Sequence, residues 1–403
     1  MKLSRRHLLR ASAALTAFGL APGFLPRALA QTPAKPKTLV VLFLRGGVDG
    51  LAMVPPVGDP SYAALRPSLR LLHSREKSDD ACLALDATFG LHPSLAPLLP
   101  LFTQRRLAIV HAVGQASPSR SHFAAQDFLE SGTPGIKSSD GWLNRAVLQL
   151  PEPAPALRAV AVQSRLPLSL AGNANAVAFS ALKDFRVANA GAGFEALYAQ
   201  AVDRALRGAG SDAFDMMATL DGQKLAQARP RNDAVYPPGP LSKRLQDIAR
   251  LIHAGLGMQV CATEAGGFDT HLGQGAGTGQ LANRFKDLAL SLAAFATDLG
   301  PRLDDVCLVT MTEFGRTGRE NGSRGTDHGT ASALFVLGGK VNGGKVHGDW
   351  PGLATLHEGR DLRTTTDIRQ VLAETLGGHL DLPDPGAAFP GFDWTSPQMR
   401  LFG

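Results

Sequence analysis

The chain has 403 residues with 44% hydrophobic and 19% charged side chains and a formal charge of +6. Five of its 41 Lys/Arg and none of its acids fall in the first 30 residues, which leaves 36 bases against 35 acids and excludes a nucleic-acid reading based on charge. The three cysteines, Cys82, Cys261 and Cys307, lie far apart without paired spacing, which excludes a disulfide framework, and no apolar stretch is long enough to span a bilayer.

Residues 1–30 carry the three parts of a secretory signal. A basic segment (Lys2, Arg5, Arg6, Arg10) precedes a mildly apolar run interrupted by Gly19, Pro22 and Gly23, and Ala28-Leu29-Ala30 forms a small-x-small cleavage site. Ser4-Arg5-Arg6 followed by Leu8-Leu9-Arg10 resembles the twin-arginine signal. The expectation is a precursor handed folded to the twin-arginine translocase, cleaved to start at Gln31, and soluble in the periplasm or held peripherally at the cell envelope with no integral membrane span.

From Thr38 onward, short apolar runs alternate with helical patterns, the rhythm of an α/β protein with a mostly parallel central sheet and helices on both faces. Thr38–Leu44 is continuously apolar and ends at Gly46-Gly47, as a strand buried on both faces would. The runs 107–110, 159–162, 258–262, 306–311 and 333–337 read the same way. Residues from about 150 to 240 are irregular and Pro-rich at both ends, which predicts a cap or insertion within a single domain over 31–403. A helix is predicted over about 241–256. A second is marked by Leu281, Phe285, Leu288, Leu292, Phe295 and Leu299, spaced alternately by four and three and closed by Gly300. The last is predicted over about 367–376, capped by Thr366 and stopped by Gly377-Gly378.

Polar residues cluster where apolar runs stop. Asp49 follows the first strand; Asp269 and His271 follow the fourth; Glu313 follows the fifth, with Asp327 and His328 shortly after. In a parallel sheet these ends share one edge, and converging carboxylates there call for cations. Asp oxygen with His nitrogen suits zinc, manganese or a mixed site, and two ions could hold the attacking and leaving oxygens of a displacement at phosphorus or sulfur. An Asp in a Gly turn is by itself a turn former and a lone Asp-x-His a solvated loop; their recurrence after successive strands is what points to a metal centre. Ser119 and Ser121 precede a helical stretch after the second strand, where a hydroxyl can serve either as cap or as nucleophile.

The strings Phe43-Leu44-Arg45-Gly46-Gly47-Val48-Asp49-Gly50, Ser119-Arg120-Ser121-His122-Phe123 with Gln126-Asp127, Gly267-Phe268-Asp269-Thr270-His271, Thr312-Glu313-Phe314-Gly315-Arg316-Thr317 and Gly325-Thr326-Asp327-His328-Gly329 resemble the motif series of domain-of-unknown-function family 1501. That family is exported and similar in fold to the alkaline phosphatase and sulfatase superfamily. The resemblance implies an alkaline phosphatase-like domain with two divalent ions, zinc, manganese or calcium. It implies metal ligation by Asp49, Asp269, His271, Asp327 and His328, with Glu313 and His347 as further ligands. His347 can equally be a loop histidine. The sulfatase nucleophile position, two residues before Pro118, is Ala116, which disfavours an oxidised-cysteine sulfatase. Ser121 is then the first candidate nucleophile and Ser119 the second, with Arg120 and Arg316 placed to grip an anionic small-molecule or polymer substrate. The functional expectation is a metal-dependent hydrolase of phosphate, phosphonate or sulfate esters; its rival is a metal-stabilised binding or assembly protein of the envelope without turnover.

Overall fold

The computed structural model describes residues 36–152, 154–155, 157–184, 222–395 and 399–402. The predicted signal lies outside the described residues, as does much of the predicted cap. Strand β1 (Thr38–Leu44) is flanked in parallel by β7 (Val260–Ala265) and β8 (Val306–Met311). A small antiparallel ribbon, β2 (Leu83–Ala84) with β3 (Gly90–Leu91), stands apart from the main sheet. The main sheet is completed by β4 (Leu107–Gly114), β5 (Ala159–Val162), β6 (Val177–Phe179), β9 (Ser332–Gly338), β10 (Val346–His347) and β11 (Thr366–Asp367). Its order is β10-β4-β9-β8-β1-β7-β5-β6, with β11 also pairing β4. Thus β5 and β6, both inside 150–240, extend the sheet edge.

The side chains of β1 show why the sheet is covered on both sides. Val40, Leu42 and Leu44 join one apolar core and Leu39, Val41 and Phe43 the other, as the period of two requires. On the first face pack Leu245, Ile248 and Ile252 from the helix Pro240–Ala254 and the predicted stripe Leu281 to Leu299 from the helix Gln280–Leu299. Val371, Leu372 and Leu376 of the helix Ile368–Leu380 pack on the second. Cys82, Cys261 and Cys307 are buried free thiols.

Two features depart from the sequence expectations. The last helix is capped by Asp367, whose carboxylate accepts from the Arg369 N–H at 2.9 Å, while Thr366 pairs with β4. It also runs through Gly377-Gly378 to Leu380. A Cβ at Gly378 would come 2.6 Å from the Phe402 Cβ, so this glycine provides room for a neighbour and does not end the helix. The second departure is β9, which runs antiparallel to both β4 and β8 while the other pairings of the main sheet are parallel. Its first residue therefore enters at the edge where β1, β4, β7 and β8 end. That reversal brings the loop holding Asp327 and His328 to the same edge as the post-strand loops. No helix among the described residues is long and apolar enough to cross a membrane.

Candidate metal centre

Main-chain contacts hold the loops of this edge together. A Cβ at Gly46 would lie 2.7 Å from the Asp269 nitrogen, so the turn after β1 can touch the loop after β7 only without a side chain. Thr317 N–H donates to the Asp327 carbonyl and Gly329 N–H to the Gly315 carbonyl, both at 2.9 Å, and Thr326 N–H donates to the Thr270 carbonyl at 3.1 Å. These bonds fix the register of Arg316, His328 and Asp269 before any side chain is considered.

His122 opens the helix His122–Ser131, Asp269 and His271 follow β7, and His328 precedes β9. His122, Asp269 and His328 each offer a ligand atom within 4.8 Å of the others. His122 Nε2 is 3.4 Å from Asp269 Oδ2; His271 Nε2 and His328 Nε2 are 3.0 and 3.3 Å from Asp269 Oδ1. The Phe314 ring packs against His122 and His328, with centroids 4.8 and 4.7 Å away.

The hydrogen bonds on the far side of each ring decide its tautomer. His122 Nδ1 meets Glu313 Oε1 at 2.8 Å. Burial pushes the Glu313 carboxyl up, but hydrogen bonds from Gln126, His122 and the Gly46 N–H outweigh it and hold the group ionised below its ordinary range. An ionised carboxylate only accepts, so Nδ1 carries the proton. The same reasoning applies to His328, whose Nδ1 donates to the Arg120 carbonyl at 2.8 Å, and to His271, whose Nδ1 donates to Asp327 Oδ1 at 3.2 Å. Asp327 is held below its ordinary range chiefly by the Asn321 amide and then by His271. With all three Nδ1 atoms protonated, the three rings turn their Nε2 atoms toward one carboxylate.

That arrangement repels itself unless a cation or an added proton is present. His271 Nε2 and His328 Nε2 are 2.9 Å apart, and His122 Nε2 is buried without a hydrogen-bond partner. Burial, with the Arg316 guanidinium nearby, pushes His328 below its ordinary range and disfavours a proton there. The His122 and His328 nitrogens and an Asp269 oxygen, each imidazole backed by a carboxylate or carbonyl, form a donor set that fits a divalent ion, and His271 Nε2 lies beside it, 2.9 Å from His328 Nε2.

The other sequence candidates are placed differently. Glu313 is wholly buried and turned to His122, Gln126 and Gly46, behind the ring and away from its Nε2. Asp327 backs His271 in the same manner. The Asp49 carboxylate is buried against Arg66 and Gln274, and His347 lies on β10 at the sheet edge, bonded to the Asn342 carbonyl; the structure does not bring either into the cluster. Arg316 is buried and bonded to the carbonyls of Gly46, Gly47, Phe268 and Thr326 and to Asp269, so its guanidinium positions the carboxylate. The Arg120 guanidinium pairs with Asp361 and Glu358, both at 2.6 Å, while its carbonyl orients His328. Ser119 Oγ accepts from the Ser121 N–H at 3.3 Å; the exposed Ser121 hydroxyl, at the helix N-cap, makes no cap bond.

Sequence reasoning passed over His122 as a functional residue. The available signal was its spacing from Gln126: at i and i+4 both side chains reach Glu313 Oε1.

A family model described as a protein of unknown function (DUF1501) matches residues 36–389. No curated protein matches the chain. Among solved structures, the chain is similar to the C-terminal periplasmic domain of EcEptC from Escherichia coli in complex with zinc, at 11% identity over 91% of this chain and 90% of that one, with a TM-score of 0.38. It is also similar to the PsFucS1 sulfatase from a Pseudoalteromonas species, at 11% identity over 92% of this chain and 73% of that one, with a TM-score of 0.39.

Proposed function

The chain belongs to the DUF1501 family, and we propose that it is an exported, divalent-metal-dependent hydrolase of phosphate, phosphonate or sulfate esters. The observation that carries this reading is the convergence of His122, His271 and His328 Nε2 on Asp269, with each Nδ1 held by an acceptor behind it. Three nitrogens and one oxygen suit zinc, or manganese, better than calcium, which prefers oxygen alone. A divalent ion held there supplies Lewis acidity to a phosphoryl or sulfuryl oxygen.

The chain's own residues have separable tasks in this proposal. Glu313, Asp327 and the Arg120 carbonyl hold protons at the outer Nδ1 atoms and keep the inner nitrogens free to ligate. Arg316 sets the Asp269 carboxylate. Ser121 is the nucleophile, because its hydroxyl is exposed, lacks a cap bond and directly precedes a ligand, whereas Ser119 Oγ already accepts from Ser121. The test is turnover of aryl phosphates, phosphonates and sulfates by zinc- or manganese-loaded protein. Chelation or Asp269→Ala should abolish activity, and Ser121→Ala should abolish it with metal content retained, while Ser119→Ala should remain active. Fully loaded wild-type protein that turns over none of the panel would sink the hydrolase reading in favour of a non-catalytic binding protein.

A further inference from the structure

We infer that this edge of the sheet binds one divalent ion and that the Arg66 guanidinium serves as the fixed cation at Asp49, which the sequence resemblance implies is a metal ligand in a two-ion site. The inference rests on the metal reading of the His122 cluster and concerns how many ions accompany it. Asp49 Oδ2 accepts from Arg66 Nη1 at 2.6 Å and from Gln274 Nε2 at 2.7 Å, and Oδ1 accepts from the Ala52 N–H at 3.3 Å. The side chains of Arg66 and Asp49 are 0% and 1% exposed. The remaining guanidinium donors are also engaged, Nε with the Gly318 carbonyl at 3.0 Å and Nη2 with the Thr317 carbonyl at 2.8 Å.

An ion could reach the Asp49 carboxylate only by displacing a buried guanidinium, leaving that charge without its counter-ion. Gln274 closes the remaining approach, since its Oε1 is held at 2.8 Å by both the Thr270 and Thr326 hydroxyls. Charge bookkeeping around the site agrees. Asp361 is buried against Arg120, and Asp49 against Arg66; Asp269 has Arg316 but also has the Nε2 atoms of His122, His271 and His328 turned to it. Only that last position has donors in surplus. The Arg66–Asp49 pair then acts from beneath the centre, because Gln274, Thr270 and Thr326 connect it to the loops that carry Asp269, His271 and His328.

The experiment is metal stoichiometry on the full exported chain by equilibrium dialysis against zinc with elemental analysis. One ion per chain is expected for wild type. The charge-neutral double variant Asp49→Asn/Arg66→Met should retain that ion, with an affinity loss well short of the about 10–100-fold that removing an outer-shell partner of a ligand brings. Arg66→Lys, which keeps the buried cation, is the second variant should the double one not fold, and it too should bind one ion. Asp269→Ala should bind none. Two ions per chain in wild type, with one lost when Asp49 is changed, would overturn the inference while leaving the metal reading intact. No bound ion in wild type would overturn both.

Discussion

Replacing Glu313 tests whether the cluster is built to ligate. Glu313 Oε1 takes hydrogen bonds from His122 Nδ1 at 2.8 Å, the Gly46 N–H at 2.9 Å and Gln126 Nε2 at 3.0 Å, and Oε2 takes one from Thr312 Oγ1 at 3.2 Å. In Glu313→Gln the amide oxygen can occupy the Oε1 position and keep these three donors satisfied, so the fold and the His122 tautomer survive. What is lost is the negative charge that makes the ring a stronger base. Zinc affinity should fall about 10-fold, near the lower end of the range for an outer-shell partner, or about 1.4 kcal/mol. Glu313→Ala removes the acceptor altogether and frees the ring to turn. Affinity should then fall about 100-fold, and the metal-free protein should lose stability because buried donors are left unpaired, at about 1–3 kcal/mol each. Competition with a chromophoric chelator measures the affinities, and urea unfolding of metal-free protein measures the stabilities. Wild-type zinc affinity in both variants would refute the assignment of Glu313 as the group that orients a ligand.

Two further outcomes follow from other parts of the chain. Arg5→Lys with Arg6→Lys should retain the protein in the cytoplasm with its fold intact, and delivery of that variant to the periplasm at wild-type level would contradict twin-arginine export. The second concerns His92, His111 and His379, each pushed by burial down to about 4 from an ordinary 6.5. His92 and His111 accept main-chain N–H groups at Nδ1 and meet carbonyls at Nε2, so both atoms are engaged by the neutral form. A depressed folded-state value means that their stabilisation is complete above about pH 6.5 and is lost as pH falls through about 4, up to about 3 kcal/mol per group. Urea midpoints of metal-free protein should therefore fall between pH 7 and 4.5; unchanged or rising midpoints would contradict the burial of these neutral rings.

The parts of the fold written locally were legible. Thr38–Leu44 declares a strand buried on both faces because every residue is apolar or β-branched, and the stripe from Leu281 to Leu299 declares a helix because its period matches one buried face. Partners distant in sequence were not legible. Arg66, between Leu65 and Pro67, gives no sign that its guanidinium is buried against Asp49, and a glycine that ends a helix looks the same as Gly378, which makes room for Phe402. Glu313 could be placed at a strand end but not assigned between ligating and backing a ligand, since that depends on whether His122 lies in front of it.

The direction of β9 is the most consequential case, because an apolar run specifies a strand without specifying which way it points. The connection held the missing signal. Residues 312–331 link β8 to β9 without a helix, and a return to parallel pairing in the same sheet ordinarily uses a crossover of a dozen or more residues containing one. A glycine-rich link with no helical period therefore favours reversal. Reversal makes position 328 an entry to a strand and not a distant turn, which places its imidazole beside the loop ends of β7 and β8. Had β9 run parallel, Asp327 and His328 would lie at the opposite edge, and His122, Asp269 and His271 would lack their third nitrogen.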